Sequence, residues 1–213
     1  MTYGSVYEIT NPLTKVAGQH MIEWFGYKDY DSYKWGFENV AGSGGSFTIS
    51  DQYWDAGAKL LTGTSASNNV QIDFHNSTGM KNQYSHTGSK AIGVIKKETA
   101  TQAFMDGGFK NGYGDDNNQL SFCHITNHTG GNAGIYLQTT STMVSTGVAD
   151  DSEWHSYEIE LKPSNNSMKL DGVFSAVSTT NLPTTHMSPA FKLLTRVGSA
   201  AEGRVRYCEV FNT

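Results

Sequence analysis

Apolar and polar residues alternate with a period of two along much of the chain. In 154–162, His155, Tyr157, Ile159 and Leu161 fall on one side, and Ser156, Glu158, Glu160 and Lys162 on the other. That is the signature of a strand with one face in a core and the other in water. In 204–211 the same reading puts Val205, Tyr207 and Phe211 on a shared face. Similar runs rich in β-branched and aromatic residues cover 33–40, 46–50, 53–62, 70–75, 91–97, 102–110 and 119–125. They continue at 133–138, 143–146, 167–170, 172–179 and 190–196. Between them sit Gly42-Ser43-Gly44-Gly45, the glycine and Asp/Asn stretch 112–118, Gly130-Gly131-Asn132 and Asp171-Gly172. Such clusters supply the positive φ angles that tight turns need. More than a dozen short strands without a convincing helix predict an all-β fold: a sandwich, closed barrel or jelly roll.

No internal repeat or linker breaks the pattern, so one domain is expected over 33–213. The segment 1–32 has weaker periodicity and reads as an N-terminal extension or an edge or interface segment.

Composition narrows the function classes. The chain has 213 residues, 37% of them apolar, with 23 glycines; a domain of this size buries enough surface to fold without staples. The net charge is −5, and no basic cluster exceeds Lys96-Lys97, which argues against a nucleic-acid partner. No apolar run approaches the roughly 20 residues of a membrane-spanning helix, so no membrane insertion is expected. Met1-Thr2-Tyr3-Gly4 lacks the basic and apolar regions of a secretory signal. The expectation is a protein that stays in the cell, or leaves by lysis or virion assembly. Cys123 and Cys208 complete no metal-binding spacing and read as small buried residues. A disulfide between them would require neighbouring strands.

The run Glu153-Trp154-His155-Ser156-Tyr157-Glu158-Ile159-Glu160-Leu161, followed by Met168-Lys169-Leu170-Asp171-Gly172-Val173, resembles a strand pair of concanavalin A-like domains. Pro183, Pro189-Ala190-Phe191 and the stretch 205–213 resemble the closing strands of that fold. Together with 35–62, the pattern is similar to jelly-roll proteins of marine viruses and archaeal surfaces. The resemblance implies a two-sheet antiparallel β-sandwich, a concanavalin A-like jelly roll. It leaves function open, because this fold serves enzymes, lectins and structural subunits alike.

Hydrolases of the superfamily carry two carboxylates on one strand of the concave face. The nearest counterpart, Glu158 and Glu160, lies on the hairpin strand and continues into Lys162, as a solvated polar face would. Lyases of similar fold need a His/Tyr pair with Arg and Gln neighbours, and no strand motif joins such residues here. No catalytic residue is assigned, and the chain is read as non-enzymatic. No cofactor is required. Asp115, Asp116 and Asn117, with Asp106 upstream, could present oxygen ligands to calcium, although such turns often bond their own backbone instead.

Two non-enzymatic readings remain. As a carbohydrate-binding module, the chain would stack sugar faces on Tyr53, Trp54, Tyr113 and Tyr136, which fall near polar turns. As a virion or surface subunit (a decoration, turret or fibre), it would bury Trp24, Phe25, Tyr27, Tyr30, Tyr33, Trp35 and Phe37 against a neighbour. The alternative for that aromatic segment is a first strand covering a sheet edge of its own chain. The expectation combines them: a structural protein on a virion or external particle surface, cytoplasmic before assembly. Its partners would be copies of itself, other surface proteins and a glycan.

Overall fold

The computed structural model describes residues 20–25, 35–50, 57–74, 84–99, 102–111, 119–127 and 133–213. Within them lie β1 (His20–Trp24), β2 (Trp35–Ala41), β3 (Ser46–Ser50), β4 (Gly57–Leu61) and β5 (Asn69–Phe74). Next come β6 (Ser89–Lys97), β7 (Ala103–Lys110), β8 (Leu120–Thr126), β9 (Gly134–Thr139) and β10 (Thr142–Ser145). The last five are β11 (Trp154–Leu161), β12 (Asn166–Leu170), β13 (Phe174–Ser178), β14 (Ser188–Thr195) and β15 (Glu202–Asn212). The described residues hold no helix. All named pairings are antiparallel, in two sheets: β13-β12-β11-β6-β15-β4-β3 with β1 also on β15, and β10-β9-β8-β7-β14-β5-β2. The expected two-sheet antiparallel sandwich is the architecture observed.

Alternation explains how the sheets meet. On β11, His155, Tyr157, Ile159 and Leu161 are buried, while Ser156 is exposed and Glu158 and Glu160 are half-buried. Met105 and Phe109 of β7, Cys123 and Ile125 of β8, and Phe191 and Leu193 of β14 close the core from the other sheet. Tyr157 lies at its centre: a methyl added at Gly93 or at Gly107 would run into its ring. Glycine is required at these two places because the phenol occupies the space of a side chain in each sheet.

Strand β15 departs from the simple reading. Its register on β6 shifts between Val205 and Tyr207, a bulge that re-aims the following side chains. Val205, Cys208 and Val210 are buried, whereas Tyr207 and Phe211 are half-buried on the other face. The face expected to be shared by Val205, Tyr207 and Phe211 is therefore split. The bulge also divides the strand's edge. β4 pairs with 202–205 and β1 with 207–211, and the Phe25 N–H donates to the Arg206 carbonyl between them at 3.1 Å.

Cys123 and Cys208 are free and buried, on β8 and β15 of opposite sheets. The two strands are not neighbours, so the condition for a disulfide is not met.

Candidate functional site

Residues that alternate with core positions on the seven-stranded sheet point away from the core. On five adjacent strands these positions fall into one cross-strand row. Gln71 on β5 is opposite Lys192 on β14, and Lys192 is opposite Asp106 on β7. Asp106 is opposite His124 on β8, and His124 is opposite Tyr136 on β9. Four interstrand steps make the row about 19 Å long. Each member can reach the next, since directly opposed side chains are the closest pairs in an antiparallel sheet.

The row is held by its own contacts. His124 Nδ1 donates to Asp106 Oδ1 at 2.5 Å. Lys110, four positions along β7 from Asp106 and on the same face, donates to Gln71 Oε1 at 2.6 Å. Phe104 packs beside His124 with ring centroids 5.0 Å apart. Lys192 Nζ lies 5.8 Å and the Arg196 guanidinium 5.3 Å from the Phe104 ring centre, within range of attraction to its face. Gln71, Lys110, Lys192, Asp106 and His124 are buried even though they face away from the core. Tyr136 and Gln138 are half-buried and Arg196 is exposed. The arrangement is a preorganised line of donors and acceptors, with an aromatic ring beside its middle and another at its end.

Of the expected sugar-stacking residues, Tyr136 ends this row; Tyr53, Trp54 and Tyr113 lie outside the described residues. Of the expected interface residues, Trp24 is 37% exposed and packs against Tyr207 with ring centroids 4.5 Å apart and the planes tilted by 49°. Phe25 and Trp35 require a correction. Both are buried in the core of this chain, each 5.7 Å from the Phe191 ring, and neither is placed to meet a neighbouring subunit. Phe37 is half-buried against Phe47, and Tyr27, Tyr30 and Tyr33 lie outside the described residues.

Asp106 also reads differently. Its carboxylate is engaged by His124 and stands opposite Lys192, surroundings that suit an ion pair better than calcium. Asp115, Asp116 and Asn117 lie outside the described residues. Among the described residues, no three His, Cys, Asp or Glu side chains converge as metal ligands. Glu158 and Glu160 sit on the outer face of the eight-stranded sheet, in ion pairs with Lys90 and Lys162 at 2.8 Å each.

The Trp-His-x-Tyr run serves the scaffold. His155 Nδ1 donates to Asp171 at 2.7 Å and its Nε2 to Asp151 at 2.9 Å. Burial alone would push this imidazole's pKa down; the bonds and charges of Asp171 and Asp151 outweigh it, and the pKa is raised. Burial pushes the Asp151 carboxyl up, but the Glu153 N–H and His155 more than offset it, so its pKa is lowered. Asp171 also accepts from the Ser156 N–H at 2.8 Å, so the Asp-Gly turn is fastened to β11. Alongside, the fully buried Lys97 pairs with Asp150 at 2.7 Å. The segment between β10 and β11 is thereby pinned to the eight-stranded sheet. It is also bonded to the seven-stranded one, where the Ile135 N–H donates to the Val148 carbonyl at 2.9 Å.

No family model matches the chain, and no curated sequence does. Solved structures do match its fold. A protein of unknown function from Shewanella oneidensis aligns over 100% of this chain and 94% of its own, with 12% identity and a TM-score of 0.67. An immunostimulatory antigen and pseudo β-1,3-glucanase of Mycobacterium tuberculosis aligns over 91% and 98%, with 15% identity and a TM-score of 0.59. The exoplasmic/lumenal domain of VIP36, in a form bound to Ca2+ and Man2, aligns over 90% and 87%, with 9% identity and a TM-score of 0.58. The fold is a concanavalin A-like jelly roll, shared with lectins and glucanase-like proteins.

Proposed function

We propose that this protein is a non-catalytic carbohydrate-binding protein that holds a glycan across the outer face of its seven-stranded sheet. The observation that carries the proposal is the in-register row Gln71–Lys192–Asp106–His124–Tyr136. Sugar hydroxyls need donors and acceptors in fixed positions, and sugar C–H faces need an aromatic surface; the row supplies the first, and the half-buried Tyr136 at its end supplies the second. That lectins share the fold supports the reading.

Display on a virion or other external surface belongs to the same proposal and rests on the resemblance of the C-terminal strands together with 35–62 to jelly-roll proteins of marine viruses and archaeal surfaces. A sugar-binding sandwich on a particle would attach that particle to a host surface. Calcium enters as a proposal only through 115–117.

A glycan array probed with the purified chain tests the reading. Saturable binding to at least one glycan class is expected, and Tyr136→Ala should weaken it about tenfold or more. No binding to any class, or binding indifferent to Tyr136→Ala and to Lys192→Gln, would refute it.

One observation favours a second reading. Register places Tyr136 directly opposite His124, and Lys192 stands in the same row on the other side of Asp106. In a lyase, a base takes the proton α to a uronate carboxylate, the bond to the leaving glycosidic oxygen breaks, and an acid protonates that oxygen. Appearance of an unsaturated product by ultraviolet absorbance, lost in His124→Ala, would establish this alternative. Unchanged absorbance with uronate polymers would eliminate it.

A further inference from the structure

The segment between β10 and β11 is bonded to both sheets. At one end it holds β9. The Ile135 N–H donates to the Val148 carbonyl at 2.9 Å, and the Ile135 carbonyl accepts from the Thr146 N–H at 3.0 Å and the Thr146 hydroxyl at 2.7 Å. Both backbone groups of the residue before Tyr136 are therefore tied to this segment. Val148 packs against the core, and its carbonyl oxygen stands 2.9 Å from where a methyl on Gly134 would lie. At the other end, Asp151 meets His155 Nε2 at 2.9 Å, and His155 Nδ1 is bonded to Asp171 at 2.7 Å. Between the two ends, the buried Lys97–Asp150 pair, 2.7 Å apart, fixes the segment to β6. Val148 and Asp151 are three residues apart, so little slack separates the two attachments. The segment bends at Gly147, with φ +81°, and at Ser152, with φ +60°. The second is a left-handed conformation that costs a serine energy.

We infer that this segment is a strap that couples the protonation of His155, on the eight-stranded sheet, to the placement of Tyr136 on the seven-stranded one, and so makes glycan affinity depend on pH. The glycan half of the inference rests on the function proposed above. A protonated imidazole donates from both ring nitrogens and a neutral one from a single nitrogen. Without its proton, His155 cannot donate to both carboxylates. Asp171 is the better placed to keep its bond, because the Ser156 N–H at 2.8 Å and the Ser156 hydroxyl at 3.2 Å hold it against β11. The Asp151 side chain is 49% exposed, and its bond from the Glu153 N–H at 2.9 Å lies within its own turn. Asp151 is therefore the arm that lets go. The strap then turns about the Lys97–Asp150 pair, Ser152 relaxes, and the bonds at Ile135 loosen. Burial works against the imidazole proton, but the bonds and charges of Asp171 and Asp151 outweigh it, and the pKa is raised. The tight state is fully present below the ordinary imidazole value, about 6.5, and is lost as pH rises through the higher folded one.

Amide hydrogen exchange on the full-length chain tests the strap without any sugar. At pH 6, Asp151→Ala should lower the protection factor of the Ile135 amide about threefold or more relative to that of Leu193 on the central strand β14. His155→Gln should do the same. In the wild type the ratio of the two protection factors should fall by a similar factor between pH 6 and pH 9, and in Asp151→Ala it should stay flat. In a second arm, affinity for the best-bound glycan of the array is measured at pH 6 alone, which keeps the titration of His124 in the row out of the comparison. Asp151→Ala should weaken that affinity about threefold or more. Glu160→Gln, which removes a carboxylate from the outer face of the eight-stranded sheet, should change neither reading. Protection at Ile135 that is unchanged, or that falls only in step with Leu193, would overturn the inference, as would a wild-type ratio indifferent to pH. A response at Ile135 beside Tyr136-dependent binding that Asp151→Ala leaves untouched would overturn its glycan half. A response at Ile135 with no glycan bound at all would establish the strap and refute the function proposed for the row.

Discussion

The His155 cluster makes stability depend on pH in a way one substitution can isolate. His155 reaches two carboxylates at once, so both ring nitrogens must carry protons for both bonds to be charge-assisted. Its pKa is raised in the folded chain. The bound proton therefore stabilises the native state fully below the unfolded imidazole value, about 6.5. That contribution is lost as pH rises through the higher folded value. A fully buried bond to a charged group is worth about 1.5–3 kcal/mol. Here, however, the Asp171 and Asp151 side chains are 35% and 49% exposed, so solvent screening brings each bond toward the surface-pair range of about 0–1 kcal/mol. His155→Gln should then cost about 1–2 kcal/mol at pH 6 and less at pH 9. Urea unfolding of both proteins at several pH values measures the difference. A difference constant from pH 6 to pH 9, or one that grows with pH, would refute the reasoning. Asp151 works in the opposite direction: its pKa is lowered, so its contribution is fully present above the ordinary carboxylate value and is lost as pH falls through the lower folded one.

Four further outcomes are expected. The Tyr157 hydroxyl is buried without a hydrogen-bond partner, so Tyr157→Phe should be neutral or stabilise by about 1 kcal/mol in urea unfolding. Gly107→Ala would press a methyl into the same ring and should destabilise by about 1–3 kcal/mol in that assay; an unchanged midpoint would contradict the packing described. Lys97→Met strips the partner from the buried Asp150 and should lower stability by about 3–5 kcal/mol. Burial raises the pKa of both thiols, Cys123 and Cys208, so a thiol reagent such as DTNB should react slowly with the native chain and titrate two thiols after denaturation.

Much of the scaffold was legible before the structure. Fourteen runs rich in β-branched and aromatic residues mark β2 to β15, and the turn residues between them have backbone needs of their own. β1 escaped notice because Glu23 faces inward, where it is buried and accepts a hydrogen bond from Trp35 Nε1 at 3.2 Å. An inward carboxylate hides the alternation of a five-residue strand. The β15 bulge was invisible for a related reason: one extra residue inverts every face after it, and nothing in Val205-Arg206-Tyr207 announces it. The candidate site was legible only at Tyr136. Gln71, Lys192, Asp106 and His124 are far apart in the chain, and only cross-strand register aligns them. Asp106 drew attention as a metal ligand because acidic turn residues follow it, while its actual partner, His124, sits one strand away.

The central claim, that the outer face of the seven-stranded sheet binds a glycan, is tested most directly by titrating the isotope-labelled chain with the best-bound array sugar and following backbone amide resonances. The account expects saturable shifts at Gln71, Asp106, His124, Tyr136 and Lys192, with β12 and β13, at the edge of the other sheet, unmoved. Saturable shifts confined to other regions, or none at all, would contradict it.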